Sequence, residues 1–160
     1  MPKISKEKKE KEKKSESPEY YKAVGRRKES SASVRLYTGT SGKVKIGDSE
    51  IKKGDIIVNS LPVEKYFPGE IYRKNYLEPF RSTDTLDRFA VSVKISGGGK
   101  QGQIGALIHG ISRALVKVDE DKFRTVLRKK GFLTRDSRVK ERRKAGLAQK
   151  ARAKKQSPKR

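Results

Sequence analysis

The chain has 160 residues, of which 38% are charged and 32% hydrophobic, and its formal net charge at pH 7 is +23, so we expect one small domain with tails. Such a charge attracts polyanions, and nucleic acid is favoured over an acidic membrane because the basic C-terminal tail lacks the apolar face that membrane binding needs. The absence of Cys excludes a disulfide framework and a Cys-based zinc site. No apolar run approaches the roughly 20 residues of a membrane span, and residues 1–17 are charged where a signal peptide is apolar. We therefore expect the cytosol as the default compartment.

Residues 1–19 form a low-complexity segment, with seven Lys and four Glu in Met1–Pro18. This composition predicts a disordered, solvated extension to which no chemistry can be assigned.

Residues 20–37 are predicted to form a β-hairpin. The apolar residues Ala32, Val34 and Leu36 alternate with polar ones along Ser31–Tyr37, which is the period of a half-buried strand. Gly25–Lys28 is placed between the two arms of the hairpin. Three successive cations in one turn favour contact with phosphate, and an ordinary charged turn is the alternative.

The middle of the chain reads as short strands followed by two helices. Strands are predicted at Lys43–Ile46 and Ile56–Asn59, between glycine-rich turns. Ser60 is a candidate cap for a first helix that ends by Phe67-Pro68-Gly69, and a second helix is predicted from Glu70 to Glu78, ended by Pro79. Their aromatic residues are assigned to the core rather than to base stacking: Tyr66, Phe67, Tyr72, Tyr76 and Phe80.

The strongest strand signal is Arg88–Ser96, and a helix is predicted from Lys100 to Leu115 after Gly97-Gly98-Gly99. Five apolar residues form its stripe: Ile104, Leu107, Ile108, Ile111 and Leu115. The opposite face carries Gly102, Ala106, His109 and Arg113, with Gly105 beside it. We interpret this face as a possible RNA-docking surface, and close packing of the glycines on the sheet is the alternative.

A last helix is predicted over Asp119–Lys130, with acids at its start, cations at its end and Gly131 as its stop signal. The segment that follows is here called the arm, residues 132–160. From Leu133 it holds twelve Lys or Arg against two acids, and so little apolar surface that it cannot order itself alone. Its best candidates for binding phosphate are the planar guanidinium groups of Arg135, Arg138, Arg142, Arg143 and Arg152.

Enzymatic chemistry is weakly supported. Gly97–Gly102 matches G-x-G-x-x-G, with Asp119 near the ribose position, but Asp119 opens a helix where the dinucleotide fingerprint needs a second parallel strand. The backbone N–H groups of this helix start would suit an RNA phosphate. His109 is the only His, no second metal ligand lies near it on its helix, and no motif frames a nucleophilic Ser.

Three blocks of sequence resemble the small-subunit ribosomal protein S9 family of the bacterial type: Gly25-Arg26-Arg27-Lys28 with Ala32 and Val34-Arg35-Leu36; Gly97-Gly98-Gly99 with Gly102-Gln103, Gly105-Ala106, His109-Gly110-Ile111 and Arg113-Ala114-Leu115; and Gly131-Phe132-Leu133-Thr134-Arg135-Asp136 with Arg138, Glu141-Arg142 and Gly146. The resemblance spans Tyr20 to Arg160. It implies a two-layer α/β (α+β) fold, with a roughly four-stranded sheet covered by helices, a left-handed βαβ crossover and a long extended basic C-terminal tail.

The resemblance also implies a function. The protein would be a structural, non-enzymatic constituent of the small ribosomal subunit in the cytoplasm, without cofactor, small-molecule substrate or membrane partner. Its partners would be small-subunit rRNA, neighbouring head proteins and, through Lys159 and Arg160, the anticodon stem-loop of the P-site tRNA. The expected organisation is an extension over 1–19, a globular rRNA-binding domain over 20–131 and the arm over 132–160.

Together these arguments predict the following rRNA-binding residues: Arg26, Arg27, Lys28, Arg35, Gly98, Gly99, Lys100, Gln103, His109, Arg113, Arg135, Arg138, Arg142, Arg143, Lys144, Lys150 and Arg152. Two alternatives remain, a nucleoid-type general DNA-binding protein, which composition alone allows, and a nucleotide-dependent enzyme built on Gly97–Gly102.

Overall fold

A computed structural model of the protein describes residues 20–38, 44–46, 49–147 and 150–152, of which 44–46 and 49–50 are described by their backbone alone. The predicted extension 1–19 and the arm's Lys159 and Arg160 lie outside these residues. Seven strands and four helices follow one another in the described chain. In order they are β1 (Tyr20–Arg27), β2 (Ser30–Tyr37), β3 (Val44–Ile46), β4 (Ser49–Ile51), β5 (Ile56–Val58), β6 (Leu61–Pro62), α1 (Val63–Tyr66), α2 (Glu70–Ser82), β7 (Ala90–Ser96), α3 (Lys100–Val118) and α4 (Glu120–Lys129).

The main sheet has five strands in the order β1-β2-β7-β5-β6, and β3 and β4 form a separate two-stranded hairpin. Among the strand pairs of the described residues, only β5 and β7 are parallel, and the chain crosses between them through β6, α1 and α2. The predicted mixed α/β fold is confirmed. The prediction of roughly four strands misses β6, which is two residues long and pairs with β5 at the edge of the sheet. The left-handed crossover remains a prediction.

The core lies between the helices and one face of the main sheet. The predicted inward residues of β2, Ala32, Val34 and Leu36, are fully buried, as are Leu107 and Ile111 of the α3 stripe. Burying a Val, Leu or Ile side chain contributes about 1.5–3 kcal/mol. The predicted assignment of the aromatic cluster to the core is confirmed, since Phe67, Tyr76 and Phe80 are buried and Tyr66 and Tyr72 pack against them.

Three local predictions are wrong. Gly25, Arg26 and Arg27 lie within β1, because the hairpin turns through only two residues, Lys28 and Glu29. Ser60 is not a helix cap: it adopts a positive φ of 67° in the turn between β5 and β6, and α1 starts after Pro62 without a side-chain cap.

The third wrong prediction is that Pro79 ends α2, which continues to Ser82. Pro79 is buried, and the hydroxyls of Ser82 and Thr83 donate to the carbonyl oxygens of Glu78 (2.6 Å) and Pro79 (3.0 Å) in the last turn. Proline removes an N–H and crowds the preceding turn. Here burial of the ring and hydrogen bonds from side chains offset that cost.

Candidate nucleic-acid interface

Helix α3 packs directly against β1, with no side chain between the two backbones at Gly25. A Cβ at Gly25 would overlap the carbonyl oxygen of Ala106 and the amide nitrogen of Gly110. The prediction of an RNA-docking face is therefore wrong for Gly102 and Ala106, which are buried under the hairpin. The alternative, close packing of the small residues on the sheet, is what the structure shows.

The polar side chains of the same helix face bond to the free edge of β1. His109, Arg113 and Lys117 are four residues apart, about 6 Å along a helix, and their partners are two residues apart, about 6.8 Å along a strand, so the two spacings nearly match. The three bonds run from the Arg26 N–H to His109 Nδ1 (3.4 Å), from Arg113 Nη1 to the Val24 carbonyl (2.5 Å) and from Lys117 Nζ to the Lys22 carbonyl (2.7 Å). They cap an edge that would otherwise offer unpaired backbone groups to another strand.

Burial lowers the pKa of His109, and the positive charges of Arg113 and Arg135 lower it further, while backbone hydrogen bonds with Arg26 and Leu133 act in the opposite direction. The imidazole is therefore neutral at pH 7 and accepts a hydrogen bond, instead of offering a positive charge to phosphate. Contact of His109 and Arg113 with rRNA remains a prediction, and in the free protein both side chains bond to β1.

The glycine run before α3 packs around a buried serine. Ser30 is 2% exposed, and its hydroxyl donates to the Gly97 carbonyl oxygen (3.1 Å). A Cβ at Gly98 would overlap this hydroxyl, and one at Gly102 would lie 2.6 Å from it. Gly97 and Gly98 also adopt positive φ values of 74° and 61°. The need for glycine at these positions is thus explained by packing, without a nucleotide.

The first turn of α3 is held from two sides. Gln103 donates from its side-chain amide to the Gly97 carbonyl (3.2 Å), and its own amide oxygen accepts from the Tyr66 hydroxyl (3.2 Å). Gly99 precedes the helix with an extended backbone, and both Gly99 and Lys100 are exposed. Of the residues predicted around this turn, Lys100 is the one whose cationic side chain is open to a partner.

The arm starts at a fixed point on the domain. Gly131, with φ 75°, ends α4: its N–H donates to the Arg128 carbonyl (3.0 Å), and that of Phe132 donates to the Leu127 carbonyl (3.0 Å). This is the Schellman pattern of helix termination. Phe132 and Leu133 then pack against the main core, so the first residues of the arm are held by the domain.

Asp136 holds the next part of the arm to β1. Its carboxylate pairs with Arg27 Nη2 (2.8 Å) and with the Nε (3.0 Å) and Nη2 (2.8 Å) of Arg138. Hydrogen bonds from Arg138, with the charge of Arg27, hold the pKa of Asp136 well below its usual value, and the pKa of Arg138 is raised in return. Arg27 and Arg138 thus share an internal anion, although both were predicted to bind RNA phosphate.

Beyond Asp136 most residues of the described arm are exposed. Gly146 makes a turn with φ 78°, in which the Lys144 N–H donates to the Lys150 carbonyl (3.0 Å), and Arg152 donates to Glu141 (3.0 Å). The predicted basic residues of this part all lie open to solvent: Arg142, Arg143, Lys144, Lys150 and Arg152.

The predicted phosphate-binding turn Gly25–Lys28 is not a single site. The side chain of Arg27 lies against Gly105 on the helix side of the sheet, and Arg26 is exposed on the other side. Arg35 shares that other side, together with Lys22 and Lys94, which our sequence analysis missed. The alternation of small and charged residues in β1 and β7 was the signal that could have found them.

Over the described residues there is no cluster of three or more His, Cys, Asp or Glu side chains that could hold a metal ion. Among the same residues, none of the helices has the length and apolar character needed to cross a membrane.

Comparison with protein families finds a match over most of the chain. Residues 25–160 match the family described as Ribosomal protein S9/S16. The match runs from the β1 glycine that contacts α3 through the whole arm, so it includes every predicted binding residue named above.

Proposed function

The chain belongs to the Ribosomal protein S9/S16 family and is a small-subunit ribosomal protein, and from this premise we propose that it binds small-subunit rRNA in the head of the subunit through its arm. We further propose that the tip of the arm, Lys159 and Arg160, approaches the anticodon stem-loop of the P-site tRNA. Neighbouring head proteins complete its partners, its role is structural rather than enzymatic, and it works in the cytoplasm.

One observation carries this proposal: the arm leaves the domain at a fixed point and then exposes its cations. Phe132, Leu133 and the Asp136–Arg27 pair hold its start. After that start, Arg142, Arg143 and Lys144 follow one another in an exposed stretch without regular secondary structure. Such a segment can follow a folded RNA and gain a large contact area on binding.

The cations of the arm match phosphate in number and kind. Arg presents a flat fork that bonds two phosphate oxygens at once, and Lys presents a point charge. If about six phosphates are neutralised, the affinity for RNA should fall with a log–log salt slope of about −4 to −5.

We expect the full chain to bind purified small-subunit rRNA with such a slope. Arg135→Gln/Arg142→Gln/Arg143→Gln, the arm triple, should reduce the magnitude of the slope by about 2, because three phosphate contacts are lost. The measurement is a titration of the dissociation constant against salt, with duplex DNA of equal length as competitor.

The matched control is Lys65→Gln/Arg128→Gln/Lys129→Gln, the control triple, which removes the same charge from exposed positions on α1 and α4. A slope near −1 for the unmodified chain, or equal slopes for the two triples, would contradict the proposal. Equal affinity for duplex DNA and rRNA would favour a general DNA-binding protein instead.

A further inference from the structure

The side of the main sheet that faces away from α3 forms a polar grid. In the register of β1, β2 and β7, three rows follow one another across these strands. The rows are Arg26–Ser31–Ser96, Val24–Ser33–Lys94 and Lys22–Arg35–Ser92. Neighbouring strands lie about 4.8 Å apart and successive rows about 6.8 Å apart, so four cations and four serines lie side by side within a small area. We name this surface the serine face.

The serine face is open over most of its area. Its cations Lys22, Arg26, Arg35 and Lys94 are exposed. Ile51 packs on this side of the sheet, at the end formed by Tyr37, Ala90 and Ile57. A shallow depression of about 530 Å³ lies at the β7 side of the face, lined by Ser33, Ser92 and Lys94 and by Asn59 and Ser60 of the turn between β5 and β6.

The composition of the face points to a sugar–phosphate backbone. No position of these three rows is Asp or Glu, so these strands present no carboxylate that would repel a bound anion. Serine hydroxyls both donate and accept, which suits phosphate oxygens and ribose 2′-hydroxyls. The three rows carry no aromatic ring for base stacking, and the Tyr20 ring in the next row is faced by the Arg35 guanidinium. One cation is positioned in advance, since the guanidinium of Arg35 lies 5.5 Å from the centre of the Tyr20 ring.

We propose that the serine face is a second RNA-binding surface, which holds the backbone of an rRNA segment on the side of the sheet opposite the start of the arm. The inference rests on the proposed rRNA binding and assigns a second surface to it. Arg27, which holds Asp136 of the arm, faces α3, whereas the serine face points away from α3. The protein would then contact RNA from both sides of its sheet.

The test is the variant Lys22→Gln/Arg35→Gln/Lys94→Gln in the full chain, compared with the control triple of equal charge. With purified small-subunit rRNA, the serine-face variant should reduce the magnitude of the salt slope by about 2 and weaken binding at least tenfold at about 0.1 M salt. The control triple should change the slope by less than half as much. All six side chains are exposed, so both variants should fold.

Two results separate this inference from the proposed function. If the arm triple weakens binding and the serine-face variant behaves like the control triple, the serine face is not an RNA surface and the proposed function stands. If the unmodified chain shows no preference for rRNA, the proposed function falls and the inference falls with it.

A second measurement identifies the partner directly. A photo-reactive amino acid in place of Ser33, in the middle row of the face, should crosslink to rRNA when the chain is assembled into small subunits. Crosslinks to another protein alone would overturn the proposal and would identify this side of the sheet as a protein interface.

Discussion

At the scale of single residues, Gly25 determines how closely helix and hairpin approach. Its hydrogen lies where any other residue would place a Cβ against the backbone of Ala106 and Gly110. Backbone atoms of a helix cannot rotate away as the end of a side chain can, so the helix would have to move. That movement would also lengthen the edge bonds of Arg113 and Lys117, which join the same two elements.

We expect Gly25→Ser to lower the free energy of unfolding by about 2 kcal/mol or more, because overpacking against fixed atoms costs about 1–3 kcal/mol. The matched control is Gly99→Ser, which adds the same atoms where nothing lies within 4 Å and where serine is a favoured residue before a helix. Its effect should stay within about 0.5 kcal/mol. Urea unfolding measures both variants, and equal stabilities would refute the close contact.

The small residues of α3 show how far local sequence patterns can predict contacts. Gly102, Gly105 and Ala106 indicated that something comes close to α3, and that much was correct. A missing side chain leaves the same space for a strand of the protein as for a strand of RNA. The partners, Ser30, Arg27 and Gly25, lie more than 70 residues earlier in the chain, so no local pattern could identify them.

At the scale of elements, α3 serves the sheet in two ways. Its apolar stripe fills the core, and its polar stripe caps the edge of β1 through His109, Arg113 and Lys117. The apolar stripe was predictable because it repeats along one helix. His109 and Arg113 of the polar stripe were assigned to an RNA-docking surface, because their hydrogen-bond partners are backbone groups of a strand distant in sequence.

The capping role of His109 makes the stability of the domain depend on pH. The pKa of His109 is lowered in the folded protein from 6.5, chiefly by burial. Its contribution to stability is therefore fully present above about pH 6.5 and is lost as the pH falls towards the lower folded value, because the unfolded chain then binds more protons. His109→Asn keeps an oxygen acceptor near the Arg26 N–H and removes the titration.

We expect the free energy of unfolding of the natural chain to fall more steeply between pH 7 and 5 than that of His109→Asn. No other imidazole contributes, since the sequence has a single His. Urea unfolding at several pH values is the measurement. Parallel curves for the two proteins would show that the folded environment does not disfavour the imidazolium.

Elements with a strong local period were predicted well, and those that depend on tertiary context were not. The strand signals of β2 and β7 and the acid-to-base gradient of α4 identified their elements with small errors at the ends. The Asp119 side chain accepts from the Lys122 N–H, as the acidic start suggested. Pro79 and Ser60 misled because burial and strand pairing overruled their usual local preferences.

At the scale of the whole molecule, the two RNA-binding surfaces that we propose lie on opposite sides of one sheet. The arm is held on the α3 side by Phe132, Leu133 and Asp136, and the serine face lies on the other side. If the protein bound RNA through a single cationic patch, a compact domain without an arm would be sufficient. The Asp136–Arg27 pair fixes the start of the arm on the domain. The 24 residues after Asp136 would span about 80 Å if fully extended, and the orientation of the domain on the rRNA would set the direction in which they leave it.

We propose that the end of the arm meets the P-site tRNA. Deleting Lys159 and Arg160 should leave assembly of the small subunit intact, because the domain and most arm cations remain, and should weaken P-site tRNA binding with a salt slope smaller by about 1.5. Lys154→Gln/Lys155→Gln removes the same charge a few residues earlier and is the matched control. Filter binding of tRNA to purified subunits measures the effect. Equal tRNA affinity of subunits with the deletion and with the unmodified chain would contradict a contact between the arm and the tRNA. A loss of affinity in the deletion but not in the control would show that the position of the charges, and not their number, links this protein to the tRNA.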